Sequence, residues 1–545
     1  MTDGRATLVL TGQVVVAAGA ERLETAEAIG IADGRVVAVG SRDEVMDATA
    51  PGARLIPTGT AAIVPGIHDF HLHLVGMARA RRTLELNGVL GFDELIAVVR
   101  AAADATPPGG WLHGRGWSEA TLQAGRIERL AEAVGDRPAL IYSHDSHSAW
   151  ASAAARGAAR MSAVTEDPPG GRIERDEAGA LNGLLRESAA DLVAAVAARL
   201  RGPALDAELD EVLAELAGLG VTGATDAGDT TADNGVGEYA ALGDSASLLF
   251  GARARLDGRL RLTLNVPAAA IADARHLNLR TGVALAGSTT VRAGWAKAYA
   301  DGALGSRTAA LFDPYTCGDG SNTGILRLPP DELDSLLARG RGAGIGLAVH
   351  AIGDRTVATA LDAMERSTPR QAGTPPDRIE HAQLVRAADR PRFAELGVTA
   401  SLQPVHCASD RPIADACWSD RLADAYPWRA MSAVGALLAF GSDAPIETPN
   451  PWIGLYAAVH RAFPNDGTPD WQPDAALDAA SALAAYTRAP AVAIGRPDEG
   501  HIGVGAHADL AVLNVDLATL LAADERLAEV RSELTLVGGR EVQRA

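Results

Sequence analysis

The sequence predicts an α/β fold: a (β/α)8 barrel of the TIM type, with an inserted subdomain and a small β-sandwich built from both chain ends. Three observations predict it. Eight short apolar runs alternate with Ala-rich amphipathic stretches, both ends of the 545-residue chain carry β-branched runs broken by turn residues, and about 150 residues separate the first two of the eight runs. That last interval is far too long for a loop.

Taken in order, TLVLTGQVVVAA, AIGIADGRVVAVG and ARLIPTG read as short strands divided by DG-type turns, and ADLAVLNVD and LTLVGGREV read the same way near the C-terminus. They predict one discontinuous domain, residues 1–62 plus 495–545. Between them, residues 63–494 carry IVPGIHDFHLH, GVTGATDA, RLTLNVP, VRAGWAKAYAD, IGLAVHAIG, DRIEHAQL, VTASLQPVH and ALLAFGSDAP, each fitting a buried parallel strand. Stretches such as DELDSLLARGRGAG and DRTVATALDAMERS have helical periodicity. Eight strands in βα alternation predict the barrel. The interval of about 75–218 holds its own strand run, ALIYSH, and is read as the inserted subdomain.

Composition limits the function. With 47% apolar residues the chain is an ordinary folded protein, and its length exceeds one small core. A net charge of −20 and a pI near 5.1 argue against nucleic acid as partner. No apolar run approaches the ~18–20 residues of a membrane span. The start, MTDGRATLVL, lacks a basic segment followed by a long apolar one, so no secretory leader is expected. Cys317, Cys407 and Cys417 are odd in number and lack zinc-type spacing, which predicts reduced thiols and a cytoplasmic setting. Oligomeric state, a homo-oligomer included, is open.

Candidate catalytic residues sit where barrels place them, at the C-terminal ends of strands. His71 and His73 close the first run, and an HxH pair in extended structure shares one face. Lys297 lies in the fourth run, His350 ends the fifth, His381 the sixth and Asp443 the eighth. Histidines with a carboxylate suit zinc or a similar divalent ion. Lys297 is the only lysine among 49 basic residues. Arg stays protonated and donates only, whereas Lys can lose its proton and act as a nucleophile. Taken singly, any of these histidines could be a satisfied strand-end residue, and Asp443 a helix cap. Their joint placement favours a metal site.

PGIHDFHLH resembles the PGxxDxHxH signature of the amidohydrolase superfamily. DPPGGRIERDEAGALNGLLRESA, KAYADGALGSRTAAL, HAIGDR, RIEHAQL, SLQPVH, SDAPIETPNPWIGLYAAVHR and HADLAVLNVD are similar to its branch of N-substituted formamide deformylase and YtcJ-like proteins. The resemblance implies a metal-dependent hydrolase. It also implies a carbamate formed from carbon dioxide on Lys297, bridging two metal ions, with His71, His73 and Asp443 on one ion and His350 and His381 on the other. Asp443 then takes a proton from the activated water and passes it to the leaving nitrogen. The expected reaction is cleavage of an amide-type C–N bond in a small molecule, N-substituted formamides being one precedent.

Further expectations are graded by position. Asp69 orients a ligand or packs, and His68 is structural. Asp145 and His147 of SHDSHSAW match a DGH-like motif with Ser146 in place of Gly; they reach over the barrel mouth or cap locally. Asp301, Ser306 and Arg307 follow Lys297 in a Gly-rich loop, with Arg307 a candidate for binding a substrate carbonyl or carboxylate. Trp117, Trp418 and Trp452 wall a pocket or pack in the core. His406 ends the seventh run and is a candidate substrate contact. Arg461 is structural, and His460, His501 and His507 are not ligands. A Schiff-base lyase or aldolase using Lys297, and a non-catalytic metal-bound scaffold, are the competing readings.

Overall fold

The computed structural model describes residues 4–19, 22–123, 125–229 and 231–545. The opening Met1–Asp3 of the segment read for a leader lies outside them.

All eight barrel strands form where the apolar runs lie: β1 (Ile67–Leu72), β2 (Val221–Asp226), β3 (Arg261–Pro267), β4 (Val291–Tyr299), β5 (Leu347–Ala351), β6 (Arg378–His381), β7 (Thr399–Leu402) and β8 (Leu437–Phe440). Each pairs in parallel with its neighbour in sequence, in the order β1 to β8. Burial on both faces explains why these strands read as apolar runs rather than alternating ones.

The seam between β8 and β1 closes just beyond the strands. Asp443 N donates to His71 O at 2.6 Å, and His73 N donates to Ala444 O at 2.8 Å. Asp69 reinforces it: its carboxylate accepts from His71 N (3.1 Å), Ser442 N (3.0 Å) and Ser442 Oγ (2.5 Å). The barrel is thus sealed by the same backbone that carries His71, His73 and Asp443.

Strands from both chain ends share one seven-stranded sheet, in which Thr49–Pro65 pairs with Ala6–Gly19 on one side and with Leu510–Asp516 on the other. The run TLVLTGQVVVAA forms the single strand Ala6–Gly19, with register shifts between Thr11 and Val14 and between Val15 and Ala17. The inserted region folds around a six-stranded sheet running from Leu84–Glu85 to Leu181–Glu187 and Gly171–Arg175. Among the described residues, no helix is long and apolar enough to cross a membrane.

The expectation of three reduced thiols is corrected. Cys317 and Cys417, 100 residues apart, form a disulfide, and buried Cys407 is free. The fold brings together the loop after β4 and the helix Pro404–Cys417, a pairing that spacing alone does not reveal. The thiol argument for a cytoplasmic setting goes with it.

Candidate metal centre

The strand ends gather the predicted histidines into one cluster. His71 and His73 sit two apart, with ring centroids 5.7 Å from each other. His381 lies 5.0 Å from His71 and 4.5 Å from His350, again between ring centroids. Asp443 Oδ1 faces His71 Nε2 at 3.3 Å and His73 Nε2 at 3.2 Å. His71, His73 and Asp443 offer three ligand atoms close enough to hold one ion, and His381, His406 and Asp443 form a second such set. The structure thus adds His406 to the donors around Asp443.

Lys297 stands among them, 1% exposed. Its Nζ is buried without a hydrogen-bond partner and lies 4.8 Å from the centre of the Tyr299 ring. Burial pulls its pKa down to about 8, although the carboxylates of Glu380 and Asp443 favour the charged form. A buried amine without an acceptor is costly as a cation and ready as a nucleophile. His381 Nδ1 is likewise buried and unpartnered. Burial holds His350 and His381 well below the usual histidine pKa, keeping lone pairs available for an ion. Orphaned donors, neutral imidazoles and a carboxylate fit a divalent metal.

Sequence reasoning missed Glu380. It is fully buried and bonds to His71 Nδ1 on one side and Arg378 Nε on the other. With Nδ1–H donating to the carboxylate, His71 turns its Nε2 lone pair into the cluster. Arg378 in turn lies over the faces of Phe70 and Trp295, at 4.1 and 4.8 Å. Alternation along β6 would send Glu380 and His381 to opposite sides. A backbone φ of 72° at His381 breaks that alternation, so both reach the same site. Asp443 has a positive φ as well, 59°.

His406 is not at the end of β7. Pro404 starts a helix there, and the imidazole sits on that helix's first turn, behind Asp443. Its Nε2 is 3.1 Å from Asp443 Oδ2 and its Nδ1 3.5 Å from Glu447 Oε1. Burial alone would lower its pKa, but hydrogen bonding to Asp443 and Glu447 raises it well above the ordinary value. Burial alone would raise Asp443, yet His71 beside it and the bond from His406 hold it well below the usual carboxylate range. His406 is therefore a partner of Asp443 and does not line the cavity as a substrate contact.

A cavity of about 360 Å³ opens onto the cluster, lined by His71, His73, Lys297, His350, His381 and Asp443 and roofed by the inserted region. Asp145 and His147 do reach the mouth. Asp145 accepts from Ser306 Oγ at 2.6 Å, and His147 bonds Glu187 at 2.9 Å with its ring 5.0 Å from His350. Arg327 completes this contact at 3.1 Å from Glu187 and lines the cavity. Arg307 lies outside the lining, so Arg327 takes the place expected of it. Asp301 is corrected too: its buried oxygens accept from the amides of Ala310, Ile352 and Gly353, fixing the turn after His350.

Trp117 donates Nε1 to Ile141 O at 2.8 Å inside the inserted region's core, and Trp418 and Trp452 are buried in the main core. None walls the cavity. His68 bonds Thr225 Oγ1 at 3.1 Å and is held near pKa 3 by burial and the charges of Arg378 and Arg261. Arg461 is buried and donates to Tyr426 O, a structural role. His460 bonds Asp470, and His501 bonds the carbonyl of Glu499. Asp498, Glu499 and His507 gather elsewhere, but Arg35 and Arg496 already supply positive charge there.

The Amidohydro_3 model, of the amidohydrolase family, matches residues 61–543. The chain belongs to the amidohydrolase family. It is 30% identical over 532 residues to amidohydrolase YtcJ of Bacillus subtilis strain 168, covering 95% of this chain and 96% of that protein. It is 28% identical to N-substituted formamide deformylase of Arthrobacter pascens over 520 residues, covering 91% of this chain and 92% of the relative. A metal-dependent hydrolase from Pyrococcus horikoshii OT3 shares the structure with a TM-score of 0.72 at 25% identity, over 95% of this chain and 99% of that one. This amidohydrolase is accordingly a metal-dependent hydrolase.

Proposed function

We propose that this amidohydrolase cleaves the C–N bond of an amide-type small molecule, with N-substituted formamides within its range, at a centre of two divalent ions, zinc being the ion the donors suit. The observation that carries this reading is the unpartnered, buried amine of the sole lysine inside a ring of histidines. We assign His71, His73 and Asp443 to one ion and His350 and His381 to the other. Lys297, as the carbamate formed by its neutral amine with carbon dioxide and loss of a proton, would add an anionic oxygen donor for the ions. The proposed domain division is 1–62 with 495–545, and 63–494 carrying the insertion at about 75–218.

Bound ions would supply acidified water and a polarised carbonyl. The chain supplies the rest. Asp443, whose Oδ1 faces His71 and His73, would take a proton from the attacking water and return it to the leaving nitrogen. The bond from His406 to Oδ2 holds that carboxylate anionic and oriented. Glu380 fixes the His71 tautomer. His147 and Arg327 cover the mouth and reduce water access.

An imine-forming lyase would also need a buried lysine, but neither the histidine ring nor the family supports it. The test is a panel of amides, esters and lactones with metal-loaded and chelated protein. Amide cleavage abolished by chelation and restored by zinc supports the reading. Borohydride trapping of substrate on Lys297 with chelator-resistant turnover overturns it.

A further inference from the structure

Beside the metal-facing cavity lies a second one of about 310 Å³. The two cavities share Gly76, Arg79, Tyr142, Ser146 and Pro445 in their linings, so they are immediate neighbours. The second cavity is lined by Arg79, Arg82, Arg115 and Arg199, with no Asp or Glu among the described lining residues. In a chain of net charge −20 this local reversal of sign needs a reason.

The guanidiniums are unequally neutralised. Arg82 is met by Glu208 at 2.6 Å and Arg115 by Glu85 at 2.8 Å. Arg79 and Arg199, however, share a single carboxylate, Asp244, each at 2.6 Å, and Arg201 reaches the same carboxylate at 2.8 Å. Three guanidiniums thus share one carboxylate. Asp244 is buried beneath them, while Arg79 and Arg199 keep 20% and 24% of their side chains exposed. Arg201 Nη1 has no hydrogen-bond partner among the described residues. The other acids at the boundary, Asp191 and Asp229, line the metal-facing cavity instead, and Asp229 is engaged by the amides of Ser245 and Ala246. Leu140, Ala194, Ala197 and Leu200 give the remaining wall an apolar character.

We propose that this second cavity is the subsite for the substrate's distal group, and that the group is an apolar spacer ending in a carboxylate. Guanidinium is the side chain best matched to a carboxylate, through paired charge-assisted hydrogen bonds. Excess positive charge around a buried acid holds the arginines in place while leaving them able to bind another anion. The apolar wall suits the spacer. The proposal rests on the amide-hydrolase reading for the position of the scissile bond.

Two probes test it: N-benzylformamide and its 4-carboxylate analogue, 4-(formamidomethyl)benzoate, compared by kcat/KM. A third, 4-ethylbenzoate, has no scissile bond and reads binding alone by calorimetry. The expected result is a preference for the carboxylated formamide on the order of tenfold, in line with a charge-assisted contact. Arg199→Gln should collapse that ratio, Arg199→Lys should partly restore it, and Ala197→Glu, which sets an anion in the wall without touching an arginine, should invert it. Calorimetry should show 4-ethylbenzoate binding weakened in Arg199→Gln and Ala197→Glu. Hydrolysis of both formamides with a ratio near one, or a ratio that Arg199→Gln and Ala197→Glu leave in place, overturns the subsite while keeping the hydrolase. Hydrolysis of neither, with Arg199-dependent binding of 4-ethylbenzoate, supports the subsite and counts against the formamide reading. Binding of 4-ethylbenzoate indifferent to both substitutions places the carboxylate on the metal ions and overturns the subsite.

Discussion

At the scale of single residues, the side chains around Lys297 each answer a different electrostatic demand. The lysine needs to be neutral to react, and burial brings its pKa to about 8. Glu380 needs to be charged while buried, and it is, between Arg378 and His71. Replacing it as Glu380→Gln keeps an acceptor for His71 but removes the charge that makes the imidazole a better donor to an ion. Metal affinity measured by chelator competition should fall about 10–100-fold, as is usual for a lost carboxylate behind a ligating histidine. Glu447 supplies a pH signature. Burial would raise its pKa, but hydrogen bonds from His144 and His406 hold it at about 2. Depressed below the unfolded value, it contributes stability that is complete above about pH 4.5 and lost as pH falls toward 2. The gap in unfolding free energy between the wild type and Glu447→Gln, followed by denaturant titration, should therefore be constant between pH 5 and 6 and shrink on further acidification. Most residues of the cluster were legible because His and Asp stand out at the ends of apolar runs. Glu380 was hidden because the positive φ of His381 breaks the two-residue alternation, and no residue type in RIEH announces that. Arg307 stood out because it follows Lys297 closely in a Gly-rich loop, whereas Arg327, further along the chain, carried no signal and is the arginine that lines the cavity.

At the scale of elements, the eight strands were readable because burial on both faces leaves little but apolar residues between the polar ends. His406 was misplaced because a strand end and a helix start look alike over SLQPVH; Pro404 at the first helical position was the signal available. The seam between β8 and β1 is the element most exposed to a single substitution. Asp69→Ala would strand the amides of His71 and Ser442 in a buried site, at a cost of about 1–3 kcal/mol for each unpaired donor. Because the same backbone carries His71 and Asp443, thermal stability and metal content should fall together. Loss of stability with full metal occupancy would show that the seam and the centre are independent.

At the scale of the whole molecule, the barrel, the inserted region and the sheet from both chain ends are joined by contacts of great sequence distance. The Cys317–Cys417 disulfide is a similarly distant contact inside the barrel, and spacing could not disclose it because the two cysteines meet only through tertiary structure. Cys317→Ser should lower unfolding stability by about 2–4 kcal/mol, the typical contribution of a disulfide. Equal stability of wild type with and without a reducing agent would show that it does not form. The inserted region's approach to the mouth through Asp145, His147 and Glu187 was half legible, from the SHDSHSAW motif and from Ser306 in the Gly-rich loop, while its partner Arg327 carried no such mark. Everything in the proposed chemistry depends on what Lys297 carries. The direct measurement is metal content together with intact mass under native, bicarbonate-rich conditions, for the wild type and Lys297→Arg. The account predicts two ions per chain and the mass of one added carbon dioxide in the wild type, both the second ion and the added mass being lost in Lys297→Arg along with most activity. A wild type with one ion and an unmodified lysine, or a fully active Lys297→Arg, would contradict it.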